Sequence, residues 1–335
     1  MVKNMGRNYV DVFSGIQVPD PPDISDKVTG SCGQNLWDTD PLTISEGRFE
    51  VTKITPKVLE MKLEAIIQAY KDGRTNPIPI FIIGPPGVGK TEIVNAVAKK
   101  YGLEVHTYIA STMDPTQVIG LPFRDNGNKY ITWYPDVEFV APSDAARNHV
   151  YFFDELNMAP PSTQAAFYRL ILEGRVGNIN ISNALRIGAG NRMGDFESVQ
   201  RMGLPMATRF QIYLLNPSMR EWLDWAIEND INPFIQKYVS MLIAKNEASK
   251  KDIDPRWFCI DAIKPSMARA TPRSWARLSK LLDLGLDGKE DVYGSLGAIP
   301  GAVFLEWYNQ VKPLVMKEKE FVSGDLLGRE WKKKK

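Results

Sequence analysis

The residues best suited to chemistry in this sequence form the segment from Gly84 to Thr91, which reads GPPGVGKT. This segment fits the phosphate-binding loop pattern G-x-x-x-x-G-K-[ST] at every fixed position. Its glycines let the backbone curl so that successive N–H groups face one anion. Lys90 can then reach the outer phosphates of a nucleotide, and the Thr91 hydroxyl can bind Mg²⁺. The predicted phosphate-binding residues are Gly84, Pro85, Pro86, Gly87, Val88, Gly89, Lys90 and Thr91.

Two adjacent carboxylates follow a run of apolar residues at 150–153. The run is typical of a buried strand, so Asp154 and Glu155 should lie at its carboxyl end, where ligands collect in open α/β sheets. Asp154 could hold Mg²⁺ directly or through water. Glu155 could polarise an attacking water. The alternative is a strand that ends in solvated charges.

Asn191 follows another predicted strand, at 184–187, and the glycine-containing residues 188–190. A polar side chain at a strand end can hold the attacking water or the γ-phosphate of a nucleotide. The alternative is an asparagine that satisfies a turn. Asn191 is therefore a third candidate site residue.

A later segment places an arginine in the first turn of a predicted helix. Thr271 suits the N-cap and Pro272 the first helical position, so Arg273 follows inside the first turn. A cation there opposes the helix dipole, and a nearby anion such as a nucleotide phosphate would compensate. The alternatives are an arginine that reaches solvent or pairs with a carboxylate.

The elements that must position these residues alternate between strand and helix patterns. Apolar residues at helical spacing predict a helix from Pro56 to Asp72-Gly73 and another from Lys90 to about Gly102. A further helix should begin at residues 160–162 with Ser162 as its N-cap and end at Gly174. Strands are predicted at 79–83, 104–110, 150–153, 184–187 and 211–215, with an inserted hairpin whose tip lies near Gly127.

Composition places the chain among globular proteins. It has 335 residues, of which 44% are hydrophobic, and 41 basic residues nearly balance 40 acidic ones, which argues against a bulk nucleic-acid binder. Cys32 and Cys259 lie far apart, and His106 and His149 are the only histidines, so neither a structural zinc nor histidine catalysis is expected. The start lacks the apolar core of a signal peptide and no run is long enough to span a membrane. We therefore expect a protein of the reducing cytoplasm.

The pattern changes twice along the chain. Residues 1–50 contain scattered prolines and glycines without a sustained period and form an extension of undecided role. Residues 51–216 should form the nucleotide-binding core, and helical patterns dominate residues 217–335. The chain ends in four lysines, Lys332 to Lys335, which most often form a solvated tail.

Taken together, these motifs resemble an AAA+ ATPase, and more narrowly the MoxR branch, whose relatives include dynein/midasin-type modules and chelatase ATPase subunits. The resemblance covers roughly residues 55–285. Besides the phosphate loop, it rests on residues 114–122 (DPTQVIGLP), 154–161 (DELNMAPP), 173–176 (EGRV), 190–191 (GN), 209–210 (RF) and 271–273 (TPR).

The resemblance implies a three-layer αβα P-loop NTPase core with a parallel sheet, followed by a smaller helical lid domain. Lys90 and Thr91 would belong to Walker A, Asp154 and Glu155 to Walker B, and Asn191 would be sensor 1. Arg209 resembles the arginine finger and Arg273 the sensor 2 arginine. The ligands would be ATP and Mg²⁺, and the hairpin near Gly127 resembles the helix-2 insert.

The resemblance also implies assembly into a ring, usually a hexamer, in which the finger reaches the γ-phosphate bound by the neighbouring subunit. A partner carrying a von Willebrand factor A domain, with its metal-ion-dependent adhesion site, is expected for MoxR proteins. The sequence departs from the family at Thr208, where an acidic residue usually precedes the finger, and at residues 192–195 (RMGD). Arg201 is therefore a second candidate for the finger.

Several functions fit this core. The leading hypothesis is ATP hydrolysis that remodels a protein or complex. A nucleic-acid motor is kept open by basic residues such as Arg124 and Lys129, although the charge balance does not favour it. The ATPase subunit of a metal chelatase would show the same motifs. A non-enzymatic scaffold or nucleotide switch is disfavoured by the presence of both Glu155 and Arg209.

Overall fold

The chain folds into two compact units in this computed structural model. One unit comprises residues 39–216, and the other comprises residues 1–38 with 217–335, so the division falls at Pro217, where the sequence becomes helical. The structure describes residues 12–22, 43–44, 47–48, 53–124, 131–134, 148–176, 179–192, 199, 209–249, 257–258 and 269–332.

The first unit contains short and long strands interleaved with helices. Its strands are β1 Thr43–Ile44, β2 Gly47–Arg48, β3 Lys53–Ile54, β4 Ile80–Ile83, β5 Glu104–Ile109, β6 Leu121–Arg124, β7 Ile131–Tyr134, β8 His149–Asp154, β9 Arg175–Val176, β10 Ile179–Asn180, β11 Leu185–Gly190 and β12 Gln211–Leu215. Its helices are α1 Pro56–Lys71, α2 Lys90–Lys100, α3 Pro115–Ile119 and α4 Pro161–Glu173.

Six of these strands form one parallel sheet in the order β3-β12-β4-β11-β8-β5. All four residues of β4 are buried, as expected of a central strand covered on both faces. On one face, Ile80 and Ile82 belong to an apolar cluster with buried residues of α1 and α2. On the other, Phe81 and Ile83 belong to a cluster with α4. The predicted three-layer α/β core of the P-loop NTPase type is therefore confirmed.

Two predicted boundaries near the site are wrong. The strand predicted at 184–187 is Leu185–Gly190, since its pairing with β4 continues to Gly190. Ser162 is not an N-cap: the helix begins at Pro161, and Pro160, whose extended backbone has φ −54° and ψ 149°, occupies the cap position. Proline suits the first helical turn because it lacks the N–H group that would there have no partner.

The predicted hairpin is confirmed in its two strands. β6 and β7 pair antiparallel, with Arg124 opposite Ile131. The predicted tip near Gly127 and the basic Lys129 lie outside the described residues.

The second unit is helical. Its helices are α5 Met219–Glu228, α6 Pro233–Ser249, α7 Pro272–Asp283, α8 Lys289–Leu296 and α9 Ala298–Lys332. They enclose an aromatic core in which Tyr238 contacts the rings of Trp275, Phe304 and Trp307. Phe13 packs edge-on against Phe234 of this core, with ring centroids 5.3 Å apart. Within the described residues, no helix combines the length and the apolar character that a membrane span requires.

Candidate nucleotide-binding site

The predicted phosphate loop connects the carboxyl end of β4 to the start of α2. Gly87 and Gly89 have φ values of 73° and 98°, in the left-handed region that favours glycine. Gly89 is the N-cap residue of α2, and a β-carbon added there would have no atom of the described residues beyond its own turn within 4 Å. The loop therefore leaves room for an anion at a helix start, where backbone N–H groups and the helix dipole favour negative charge.

Lys90 is almost fully buried within this loop, with 7% of its surface exposed. Its Nζ donates to the carbonyl oxygens of Gly84 (2.8 Å) and Pro85 (3.2 Å) and to Oδ1 of Asn191 (3.1 Å). An ammonium held by three oxygens next to the helix start suits a group that binds phosphate oxygens. The structure thus brings Lys90 and Asn191 into direct contact.

Thr91 and Asp154 meet at the adjoining strand end. The Thr91 hydroxyl donates to Oδ2 of Asp154 over 2.6 Å, while Oδ1 of Asp154 accepts from the Glu155 N–H over 2.9 Å. Hydroxyl and carboxylate oxygens are the ligands that Mg²⁺ prefers. The donor set therefore fits the ion that the sequence predicts at these residues.

Glu155 leaves the strand through a left-handed turn with φ 56° and ψ 28°. Such a conformation is uncommon for a residue other than glycine, and residues that adopt it cluster at functional sites. Its Oε2 accepts a hydrogen bond from the hydroxyl of Ser111, in the turn Ala110–Thr112 after β5. Sequence reasoning missed Ser111, because nothing in its local pattern connects it with Glu155.

Asn191 is held in place by Asn157, a second residue that the sequence analysis missed. The Asn157 Oδ1 accepts from the Asn191 backbone N–H (3.0 Å), and the Asn157 Nδ2 donates to the Asn191 carbonyl (2.6 Å). A side chain at Gly190 would lie only 2.4 Å from the Asn157 Oδ1, so the pair requires glycine at 190. Asn157 lies within the motif at residues 154–161. The presence of an asparagine in that motif is the sequence feature from which its role could have been predicted.

Of the predicted arginines, Arg209 belongs to the same unit as this group of residues but lies away from it. Arg209 is exposed and precedes β12, whose first residue, Gln211, is paired with Ile80 at the amino end of β4. Arg209 therefore lies beyond the amino ends of β4 and β12, whereas Lys90 follows the carboxyl end of β4, a strand about 13 Å long. Arg273 is exposed in the first turn of α7, whose Thr271 forms the predicted N-cap. Arg201 lies outside the described residues.

One protein family matches part of this core. Residues 79–193 match the AAA domain of the dynein-related subfamily, a segment that includes the phosphate loop, Asp154, Glu155 and Asn191. This segment is therefore similar to an AAA domain. Together with the P-loop core, the match identifies an ATP-hydrolysing P-loop enzyme. No curated protein matches the chain.

Solved structures offer only distant similarity. A variant of RuvB from Thermotoga maritima is 16% identical, with a TM-score of 0.42, over 77% of this chain and 70% of its own. RuvB from the same organism, described as a Holliday junction branch migration motor, has 16% identity and a TM-score of 0.39 over 76% and 68%. An ATPase structure from Cytophaga hutchinsonii has 20% identity and a TM-score of 0.32 over 48% and 46%.

Proposed function

We propose that this AAA+ ATPase belongs to the MoxR branch, assembles into a hexameric ring and uses Mg²⁺-dependent ATP hydrolysis to remodel a protein complex in the cytoplasm. The assignment of ATP hydrolysis depends on one observation: four polar side chains meet at the carboxyl ends of the parallel strands. Thr91 contacts Asp154 over 2.6 Å and Lys90 contacts Asn191 over 3.1 Å. Glu155 follows directly after Asp154.

Each residue of this group has a distinct task. Lys90 and the loop N–H groups would bind the phosphates, and Thr91 and Asp154 would hold Mg²⁺, which would supply positive charge against the phosphate oxygens. Glu155 accepts a proton from the attacking water, and Asn191 orients that water or a γ-phosphate oxygen. The bond from water oxygen to the γ-phosphorus forms as the bond to the ADP oxygen breaks.

The position of Arg209 supports the ring. It precedes β12, the neighbour of β4, at the amino ends of these strands, whereas the nucleotide loop follows the carboxyl end of β4. This position supports a role for Arg209 in the nucleotide site of a neighbouring subunit rather than in its own. There it would stabilise charge that develops in the transition state.

The hydrolytic assignment is tested by two substitutions in the nucleotide site. Lys90→Ala should abolish ATP binding because the phosphates lose their buried cation. Glu155→Gln should bind ATP normally and lose turnover by about 10²- to 10⁴-fold, the usual contribution of a general base. Nucleotide affinity and phosphate release measure the two effects separately, and normal turnover in Glu155→Gln would refute the assignment.

The ring is tested by mixing two inactive variants. Arg209→Ala subunits keep an intact nucleotide site, whereas Lys90→Ala subunits keep the arginine. If Arg209 acts on the neighbouring subunit, mixtures should recover part of the activity that each variant lacks alone. Ring assembly is checked by light scattering, and intact rings without recovery at any ratio would contradict the role of Arg209. Arg201→Ala, tested in the same way, addresses the second candidate.

The client is tested with the Glu155→Gln variant, which should retain bound partners in its ATP state. From the resemblance to MoxR proteins, we expect a protein that carries a von Willebrand factor A domain. Capture should require ATP and should fail with Lys90→Ala as the matched control. Capture of nucleic acid with a steep salt dependence would instead support a motor that acts on nucleic acid.

A further inference from the structure

The only two histidines of the chain meet at the edge of the parallel sheet. His106 lies on β5, the edge strand, and His149 begins the neighbouring β8. The His106 Nε2 and the His149 Nδ1 are 2.9 Å apart. Glu104 lies directly opposite His149 in the strand register, and its Oε2 is 3.6 Å from the same His149 nitrogen.

The three side chains share one face of the sheet. Glu104 and His106 are two residues apart on one strand and therefore point to the same side. The register places His149 opposite Glu104 and Tyr151 opposite His106, so the same face carries His149. Two nitrogens and one carboxylate oxygen thus lie within 4.8 Å of one another.

A row of stacked rings fixes the two imidazoles. His106 stacks on both His149 and Tyr151 with ring centroids 5.1 Å apart, and Tyr151 stacks in turn on Tyr108 at 6.2 Å. Tyr151 is fully buried, so the row is anchored in the core. The ring orientations are consequently set before any ligand arrives, which lowers the cost of binding one.

The spacing of the donor atoms suits a tetrahedral ion. Ligand atoms about 2.0–2.2 Å from Zn²⁺ lie about 3.4 Å apart at the tetrahedral angle. The observed separations of 2.9 Å and 3.6 Å fall on either side of this value. The two imidazole nitrogens must therefore move apart by about 0.5 Å when the ion binds, whereas the carboxylate of Glu104, whose side chain is 67% exposed, can adjust its position.

We propose that Glu104, His106 and His149 form a binding site for one Zn²⁺ ion, with water as the fourth ligand. Two imidazoles and a carboxylate are a common donor set for this ion. In the metal-free chain one imidazole donates its N–H to the other. On binding, that proton moves to the other nitrogen of the same ring, so both imidazoles stay neutral and each offers a lone pair to the metal.

The ion would join the edge strand to the body of the sheet. Among the described strands, β5 pairs only with β8, and it leads into the turn whose Ser111 contacts Glu155. His149 and Asp154 are the first and last residues of β8, about 17 Å apart along the strand. The zinc site is therefore separate from the nucleotide site, and binding of Zn²⁺ should not require ATP.

The proposal is tested by titrating Zn²⁺ into the full chain without nucleotide and after removal of any affinity tag. Calorimetry should give one ion per chain, and the thermal midpoint should rise with Zn²⁺ concentration because the ion binds the folded state. Bound Co²⁺ should show the strong visible absorption of a tetrahedral site. His106→Phe and His149→Phe keep the stacked rings but lose a ligand, so each should weaken Zn²⁺ binding by more than about 100-fold.

Three controls keep the result interpretable. Glu60→Gln removes an exposed carboxylate elsewhere and should bind Zn²⁺ normally, as should the chain with both cysteines replaced by serine. Unchanged nucleotide affinity shows that the histidine variants are folded. If a phenylalanine variant does not fold, His149→Gln or Glu104→Gln is tested in its place. Absence of Zn²⁺ binding by the unmodified chain would overturn the proposal. Histidine variants that bind Zn²⁺ as tightly as the unmodified chain would also overturn the proposal.

Discussion

Asn157 binds both backbone polar groups of Asn191, much as a neighbouring strand would. Its side chain is 6% exposed, and its two hydrogen bonds, of 2.6 and 3.0 Å, satisfy an N–H and a C=O that would otherwise lie buried without partners. Asn191 in turn accepts from Lys90. Asn157 is therefore a positioning residue: it acts on the nucleotide site through Asn191.

We predict that Asn157→Leu reduces kcat more than it reduces ATP affinity. Leucine has a similar volume but leaves the Asn191 N–H and C=O unpaired, which costs about 1–3 kcal/mol for each buried group. The displaced Asn191 should no longer orient the water, whereas the phosphate loop remains. Steady-state kinetics measure kcat, nucleotide titration measures ATP affinity, and chemical denaturation measures the free energy of unfolding.

A matched control separates positioning from stability. Gln164 is another buried amide nearby, which donates to the Ala159 carbonyl and accepts from the Tyr168 hydroxyl, each over 2.9 Å. Neither of these hydrogen bonds involves Asn191. Gln164→Leu should lose comparable stability and retain its kcat. An equal loss of kcat in both variants would show that Asn157 matters only for stability.

The sequence predicts the residues whose role depends on local spacing. The phosphate loop, Asp154 and Asn191 each follow directly from a strand end, so a short pattern suffices. Ser111 and Asn157 could not be predicted in the same way, because each contact joins residues 44 or 34 positions apart. Their partners depend on the strand order and on the left-handed turn at Glu155.

At the scale of elements, Arg186 joins the end of α4 to the start of β11. The guanidinium is buried and donates to four carbonyl oxygens, including those of Ile171 (2.6 Å) and Ser182 (2.9 Å). Burial lowers the pKa of Arg186 to about 10, so it remains charged at neutral pH. The sequence predicts both elements, but only the folded chain shows that a buried cation satisfies the carbonyls between them.

A second junction ties α9 to the segment before α8. The Asp287 carboxylate accepts hydrogen bonds from the Lys312 ammonium and, over 3.0 Å, from the Tyr308 hydroxyl. The hydrogen bond from Lys312 holds the pKa of Asp287 below its usual value. A carboxylate whose pKa is lower in the folded state stabilises it above the unfolded-state pKa, and this contribution is lost as the pH falls through the folded-state pKa.

We therefore predict that Asp287→Asn lowers the free energy of unfolding by about 1 kcal/mol at pH 7, a modest value because both charged partners are partly exposed. The difference in the free energy of unfolding between the variant and the unmodified chain should shrink as the pH falls below the usual pKa range of a carboxyl group. Urea denaturation followed by tryptophan fluorescence at a series of pH values measures it. Asp224→Asn, on the exposed face of α5, is the control, and a difference independent of pH would contradict the assignment.

At the scale of the whole molecule, the amino-terminal segment belongs with the carboxyl-terminal helices. Residues 1–38 and 217–335 form one compact unit, although the sequence left the role of residues 1–50 undecided. The Trp307 indole donates to the Pro19 carbonyl (2.9 Å), and the Lys245 ammonium donates to the Pro21 carbonyl (3.1 Å). Such contacts between residues more than 200 positions apart leave no local pattern in the sequence.

Because Phe13 is 6% exposed and packs on Phe234, we predict that Phe13→Ala destabilises the helical unit by about 3 kcal/mol, as is usual for a buried phenylalanine. Hydrogen exchange measured by mass spectrometry should show faster exchange in α6 and in residues 298–317, with β4, β8 and β11 unchanged. Met61→Ala, at a side chain 63% exposed on α1, should alter neither region. Equal loss of protection in β4, β8 and β11 would mean that the two units unfold as one, because local destabilisation would then spread through the whole chain.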